Sequence, residues 1–319
     1  MELDGKDRRI LCELDKNARY SSSKIGRLAG LRKEVVNYRI SKLISEGIIT
    51  RFFAEINTAK LGYSVFKVYL QFQNINTERE KEITEYLESH HNICWIAVCS
   101  GRWDMLVAFW ARDIFEFNEI LTEFLNRFSD FILAKEIVIN LRYCIYSRKW
   151  LTNDRNPKVT CIGGRPENMD LDEKDLKILR ILTRNGREHI VDIARKIGIS
   201  PALAIYRMRE LMKRGVITTF RIDINRAKLG LEFCKSFLYL QNKTTEKERK
   251  LIRFCSLHPN ITALTQCIGP WDLELELETR SFEEFHMIMK DIKTRFPELV
   301  RSYESVVISK ESGVRYIPK

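Results

Sequence analysis

The 319-residue sequence contains no apolar run of 18 residues, so no bilayer-spanning helix is expected. Its opening residues, Met1 to Asp7, lack the basic-then-apolar pattern of a secretory leader, and a cytoplasmic protein without membrane attachment is expected. The eight cysteines include no Cys-x-x-Cys pair, and none of the five histidines stands at ligand spacing from a cysteine pair. Buried free thiols are expected, and no metal centre. His90-His91 falls at an expected helix end, where an imidazole suits the helix dipole better than a metal. Neither a Gly-rich phosphate loop nor a nucleophile-base arrangement is present, so no catalytic residue and no cofactor is expected.

What the chain does have is positive charge and a repeat. The formal net charge is +11. Leu3-Asp4, Asp7 and Ile10 recur as Leu171-Asp172, Asp175 and Ile178, an offset of 168 residues. The same offset relates Gly47-Ile48-Ile49 to Gly215-Val216-Ile217, Lys60-Leu61-Gly62 to Lys228-Leu229-Gly230, and Asn92-Ile93 to Asn260-Ile261. It also relates Gly101-Arg102-Trp103-Asp104 to Gly269-Pro270-Trp271-Asp272. The chain reads as a tandem duplication joined by a linker at 153–168, which carries Pro157, Gly163, Gly164 and Pro166.

Each repeat divides by charge. Residues 1–60 hold 13 Lys or Arg against 8 Asp or Glu, and residues 169–228 hold 14 against 8, so the whole basic excess sits in these two modules. In the first, apolar Ile10, Leu11 and Leu14 define one helix, and Ile25, Leu28 and Ala29 a second that Ser21 to Ser23 can cap. Gly30 supplies a turn, and Val36, Ile40 and Leu43 face inward on a third helix over 32–45. This order is the helix-turn-helix, followed at 48–53 by a strand of a wing. The outward side chains of the third helix suit the major groove, where Lys or Arg reads guanine and Asn reads adenine. The candidate DNA-binding residues are Arg32, Lys33, Asn37, Tyr38, Arg39 and Lys42, with Arg51 on the wing beside a phosphate. In the second module they are Ser200, Ala202, Tyr206, Arg207, Arg209 and Lys213, with Arg221 on the wing. Lys33 and Asn37 correspond to Pro201 and Ile205, so the first module is expected to read bases more specifically than the second.

From Tyr63 the apolar period changes from 3.6 to 2, giving the order βαββαβ over 63–145 and again over 233–308. That order is the ferredoxin-like split fold, an antiparallel sheet with helices on one face and the other face left to associate. The fold class is thus α+β, in five segments. They are a winged helix-turn-helix at 1–60, a ferredoxin-like domain at 61–152, the linker at 153–168, a second winged helix-turn-helix at 169–228 and a second ferredoxin-like domain at 229–319.

In order and spacing, Leu171-Asp172, Ile193 to Pro201, Arg207 to Leu211, Arg214-Gly215-Val216-Ile217 and Gly269-x-Trp271-Asp272 resemble the Lrp/AsnC feast/famine regulators. The first repeat resembles them through Leu3-Asp4, Tyr38-Arg39-Ile40, Glu46-Gly47-Ile48-Ile49 and Gly101-x-x-Asp104, but has Arg32-Lys33 in place of Ser200-Pro201. The resemblance implies a regulator of double-stranded DNA that associates through the sheets of its ferredoxin-like (RAM) domains into homo-oligomers. With two units in one chain, the alternatives are that its own two sheets pair as a pseudo-dimer or that two chains assemble what the family builds from four. The resemblance also implies an amino-acid effector near Gly101, Asp104, Gly269 and Asp272. Two alternatives share the layout. One is a DNA-packaging protein. The other is a sirohaem decarboxylase of haem biosynthesis, whose His-Asn-Tyr motif is only partly echoed by His91-Asn92-Ile93.

Overall fold

The computed structural model describes residues 2–152 and 157–318. The start of the linker, 153–156, lies outside the described residues. Helix α1 (Gly5–Lys16) begins where the Asp4 carboxylate accepts from the Lys6 and Asp7 amides at 2.8 Å while Asp7 reaches back to the Asp4 amide. Helix α2 (Ser22–Ala29) starts on the Ser21 hydroxyl and stops at Gly30, whose φ of 67° is one glycine adopts freely. Helix α3 (Lys33–Ser45) and strand β1 (Ile49–Ile56) complete the first basic module. The neutral module follows as β2 (Ser64–Phe72), α4 (Thr77–Ser89), β3 (Ile93–Gly101), β4 (Met105–Ala111), α5 (Ile114–Phe128) and β5 (Ile132–Tyr146).

Part of the expected linker is a strand, β6 (Val159–Gly163), paired with β5 from Arg142 to Tyr146. The second repeat comprises α6 (Glu173–Arg184), α7 (Ile190–Ile197), α8 (Pro201–Lys213), β7 (Ile217–Ile224) and β8 (Glu232–Leu240). It continues through α9 (Thr245–Leu257), β9 (Ile261–Ile268), β10 (Leu273–Thr279), α10 (Phe282–Arg295) and β11 (Val300–Ser312).

The repeats are built into each other. Strands run in the order β2-β4-β3-β11-β8-β10-β9-β5, and β5 returns to pair with β2, so two ferredoxin-like sheets close into one barrel. The joins are reciprocal: β11 pairs with β3, and β5 with β9. Helices α4 and α5 cover the outside of one sheet, with Phe124 of α5 packed with Phe66 and Val107, and α9 and α10 cover the other, with Phe285 of α10 packed with Leu238 and Leu275. The inner faces meet around Tyr69, Trp103, Phe237 and Trp271. The sheet faces through which association was expected are therefore covered within one chain, as in the pseudo-dimer alternative.

The two wing strands also pair with each other. β1 and β7 form a two-stranded antiparallel sheet with Phe52 opposite Ile222 and Ala54 opposite Phe220. One hydrophobic core joins both basic modules, with Ile10, Leu14 and Ile40 in the same cluster as Ile178, Leu182 and Phe220. Equivalent residues exchange bonds across this seam. Arg19 donates to the carbonyl of Gly186 at 2.8 Å, and Arg187, its counterpart 168 residues on, donates to that of Tyr20 at 3.1 Å. The repeats thus pair inside the chain about a pseudo-two-fold axis.

The expectation of free thiols holds for six cysteines, all buried, and fails for two. Cys144 on β5 and Cys161 on β6 stand directly opposite, with Cα atoms 4.0 Å apart, and form a disulfide. Spacing could not show this, because the pairing depends on a strand hidden in the linker. Closing a loop of 17 residues restricts the unfolded chain by about 3 kcal/mol. Reduction is therefore expected to lower the thermal midpoint, with Cys144→Ala/Cys161→Ala matching the reduced protein and insensitive to reductant. Equal midpoints with and without reductant would contradict this.

Candidate nucleic-acid interface

Helices α3 and α8 each present one face to solvent. On α3, Val36, Ile40 and Leu43 are buried, while Lys33, Asn37, Tyr38, Ser41 and Lys42 are exposed beside Arg32 at the N-cap. On α8, Ser200 caps the helix by accepting from the Leu203 amide at 3.2 Å with Pro201 behind it. Ala202, Tyr206, Arg209 and Lys213 are exposed there, and Ala204 and Leu211 buried. Tyr38 and Tyr206 occupy equivalent positions and are 70% and 61% exposed, more than a tyrosine held by its own fold shows. Lys42 lies 3.8 Å from Glu46, a surface pair too weak to withhold it from a phosphate.

Four arginines expected to touch DNA have other duties. Arg39 donates to Asp4 at 2.7 Å and Asp7 at 2.8 Å, and its counterpart Arg207 lies 2.8 Å from Asp172 and 2.9 Å from Asp175. Each ties its outward helix to the first turn of its module's first helix. The Asp7 and Asp4 carboxylates hold the Arg39 guanidinium above its usual range. The Asp7 amide and Arg39 hold the Asp4 carboxyl down at about 2. On the paired wing strands, Arg51 is bound to Asp223 at 2.5 Å, and Arg221 lies 3.4 Å from Asp15 with only 12% of its side chain exposed. Neither wing projects as a free ribbon, because each is the other's partner.

The residues expected near an effector are engaged in the joins between repeats. A side chain at Gly101 would strike the Ser305 carbonyl of β11 at 2.8 Å, and one at Gly269 would strike the Ile137 carbonyl of β5 at 2.9 Å. Trp103 and Trp271 sit in the core between the sheets. Asp104 accepts from the Phe72 amide at 2.7 Å and Asp272 from the Leu240 amide at 2.8 Å, each fixing a strand end. Close backbone approach, packing and capping account for this motif without a ligand.

A feature with no counterpart among the sequence expectations lies between the β1–β7 pair and the barrel. A cavity of about 260 Å³ opens there, lined by Glu55, Trp95, Trp110, Asn140, Arg142 and Tyr316 among others. Beneath it Lys67 and Lys235 hold Glu274 at 2.5 and 3.2 Å, and Tyr143 and Lys235 hold Glu276 at 2.9 and 3.1 Å. Burial opposes ionisation of Glu274, but the two ammonium groups prevail and bring its carboxyl to about 2. Arg148 bridges Asp15 of α1 at 2.7 Å and Glu278 of β10 at 3.0 Å, joining the basic modules to the barrel. Two signals were available. Lys67 and Lys235 are equivalent, and Leu273-Glu274-Leu275-Glu276-Leu277-Glu278 alternates so that every glutamate shares one face. Among the described residues no helix is long and apolar enough to cross a membrane, and no cluster of three potential metal ligands occurs.

A pair of winged helix-turn-helices on a closed double sheet defines the class. A family profile described as winged helix-turn-helix DNA-binding matches residues 3–50 and again 171–218. An uncharacterized HTH-type transcriptional regulator of Pyrococcus furiosus is 31% identical over 123 residues, which are 38% of this chain and 81% of the relative. An HTH-type transcriptional regulator of Methanocaldococcus jannaschii is 38% identical over 102 residues, 32% of this chain and 68% of the relative. Regulatory protein AsnC of Haemophilus influenzae is 24% identical over 138 residues, 43% of this chain and 91% of the relative. The chain belongs to the Lrp/AsnC family of helix-turn-helix regulators, with two units in tandem. Among solved structures, the siroheme decarboxylase NirDL shares the fold over 96% of this chain and 91% of its own, with a TM-score of 0.64 and 12% identity.

Proposed function

We propose that the chain is a cytoplasmic, sequence-specific, DNA-binding transcription regulator rather than an enzyme, and that α3 and α8 are its two reading helices. The observation that carries this is the division of labour among the basic residues. Arg39 and Arg207 brace the helices through paired aspartates, leaving Lys33, Asn37, Tyr38, Tyr206 and Arg209 exposed. The shared core of the two modules supports their acting as one unit on two successive half-sites, roughly 34–36 Å apart on one DNA face. The outward sets differ, so the half-sites differ too. An amino-acid effector that modulates binding is part of this reading, as the resemblance to the Lrp/AsnC regulators implies. Footprinting across genomic fragments at physiological salt tests the reading: a few protected sites are expected, and uniform coverage would point to packaging instead.

The fold shared with NirDL raises a decarboxylase as a second reading. The cavity is lined by carboxylates such as Glu55, Glu276 and Glu278 and by cations such as Lys67, Arg148, Arg226 and Lys235. These four cations are already bound to carboxylates of the protein, which leaves fewer for the acidic side chains of a sirohaem. Adding sirohaem is expected to leave its Soret band unmoved, and a saturable shift would favour the enzyme.

A further inference from the structure

The carboxylate of Glu55 is the odd group in the cavity between the β1–β7 pair and the barrel. The residue is only 6% exposed and lines the cavity, yet among the described residues its carboxylate has no hydrogen bond and no ion pair. The Oδ1 of Asn140, on the barrel side of the same cavity, is also buried without a donor. The Glu55 oxygens stay open to the cavity, whereas a buried acceptor without a donor, as Asn140 presents, is uncommon because it forfeits its hydration without return. Most of the other charged groups in the lining are satisfied within the protein. Lys67 and Lys235 are bound to glutamates, Arg148 to Asp15 and Glu278, Arg226 to Glu278 and Glu311, and Asp223 to Arg51. Neither Glu55 nor Asn140 Oδ1 accepts from a side chain of the lining, and the walls beside them are aromatic: Phe53, Trp95, Trp110 and Tyr316 share the lining.

The geometry points to a binding site here for an ammonium-bearing small organic molecule, with Glu55 and Asn140 as acceptors and the aromatic rings around its body. Arg142 lies exposed in the same lining without an ion pair among the described residues. It is placed to discriminate between a free amine and the zwitterion of an amino acid. Burial raises the Glu55 carboxyl to about 7. Arg221 and Arg51 work against that rise, while Asp223 and Glu276 add to it. Tyr143 and Tyr316 also face it, and Lys67, Lys235, Arg142, Arg148, Arg226, Arg315, Glu278, Glu311 and Cys94 share the lining. A cationic ligand must therefore displace a proton below about pH 7, and its affinity falls by about tenfold per pH unit there.

Calorimetric titration of the full chain with phenethylamine, phenylalanine and 3-phenylpropionate, without DNA, tests the site. Phenethylamine is expected to bind at one site per chain, and 3-phenylpropionate, which lacks the ammonium, not to bind. Phenylalanine binding more tightly than the amine, and losing that advantage in Arg142→Ala, assigns the natural ligand to amino acids; weaker binding assigns it to free amines. Glu55→Gln is expected to reduce amine affinity at least tenfold at pH 7.5. Its thermal midpoint should be kept or raised, since a carboxyl whose folded value lies above its ordinary 4.5 opposes folding at pH 7.5. Equal binding of 3-phenylpropionate, no saturable binding of either ammonium compound, or unchanged affinity in a folded Glu55→Gln protein would overturn the proposal. Because no DNA is present, such a failure leaves the DNA reading standing.

Discussion

Replacing Arg148 with alanine is expected to lower the unfolding free energy by about 3–5 kcal/mol, since removing one member of a buried ion cluster strands the others. Arg148 is 8% exposed and binds two carboxylates that have almost no contact with water, Asp15 at 0% and Glu278 at 1% side-chain exposure. Its backbone amide also donates to Asp15 at 2.7 Å, so the same residue fixes α1 through both main chain and side chain. Burial disfavours the Asp15 charge, but Arg148 and Arg221 outweigh it and hold the carboxyl below its usual range. The sign of the pH dependence follows. A carboxyl depressed in the folded state stabilises fully above its unfolded value and loses that contribution as pH falls through the folded one. For the carboxylate that Arg148 holds, Asp15, the window opens at its ordinary 3.8 and extends below it. Urea midpoints should drop sharply in Arg148→Ala at pH 7, and the gap to the parent should narrow in acid. A loss of unfolding free energy below about 1 kcal/mol would show that the cluster is solvated.

The second large effect concerns binding. Reversing one exposed charge on each helix, Lys33→Glu with Arg209→Glu, removes two interactions worth about 1–3 kcal/mol each if they reach bases. Affinity for a selected duplex is then expected to fall by roughly 100-fold or more, with the fold intact because both side chains are exposed. The slope of log affinity against log salt should flatten by about one unit for each phosphate that the variant no longer neutralises. Anisotropy titrations over a range of salt separate the two contributions. A double variant that binds as the parent does would mean that other surfaces meet the DNA.

The elements were legible and their partners were not. Period 3.6 around Val36, Ile40 and Leu43 and period 2 from Tyr63 come from nearest neighbours, and the structure places α3 and β2 there. The expected strand at 48–53 is also present as β1, but the side it pairs on is set by β7, 168 residues away, and nothing in Arg51 itself announces Asp223. The same holds for Arg39, which reads as a helix-surface cation until Asp4 and Asp7 are folded against it. Barrel closure follows from one short stretch of β5, which pairs with β2 through Ile132 to Asn140 and with β9 from Ile139 onward. A local pattern cannot specify a strand that changes partner midway. Glu55 was invisible for the opposite reason: an isolated acid in an apolar strand carries no sequence signature beyond its burial.

Selecting bound duplexes from a random pool with the parent and with Asn37→Ala bears most directly on the two-helix reading. The parent should enrich an asymmetric bipartite site whose halves are about 10–10.5 base pairs apart, bound by one chain. Asn37→Ala should lose base preference in one half only, with Ile205→Ala leaving that half unchanged. No enriched sequence, a symmetric palindrome, or a preference unaltered by Asn37→Ala while Ile205→Ala changes it, would contradict the assignment of α3 as the more specific reader.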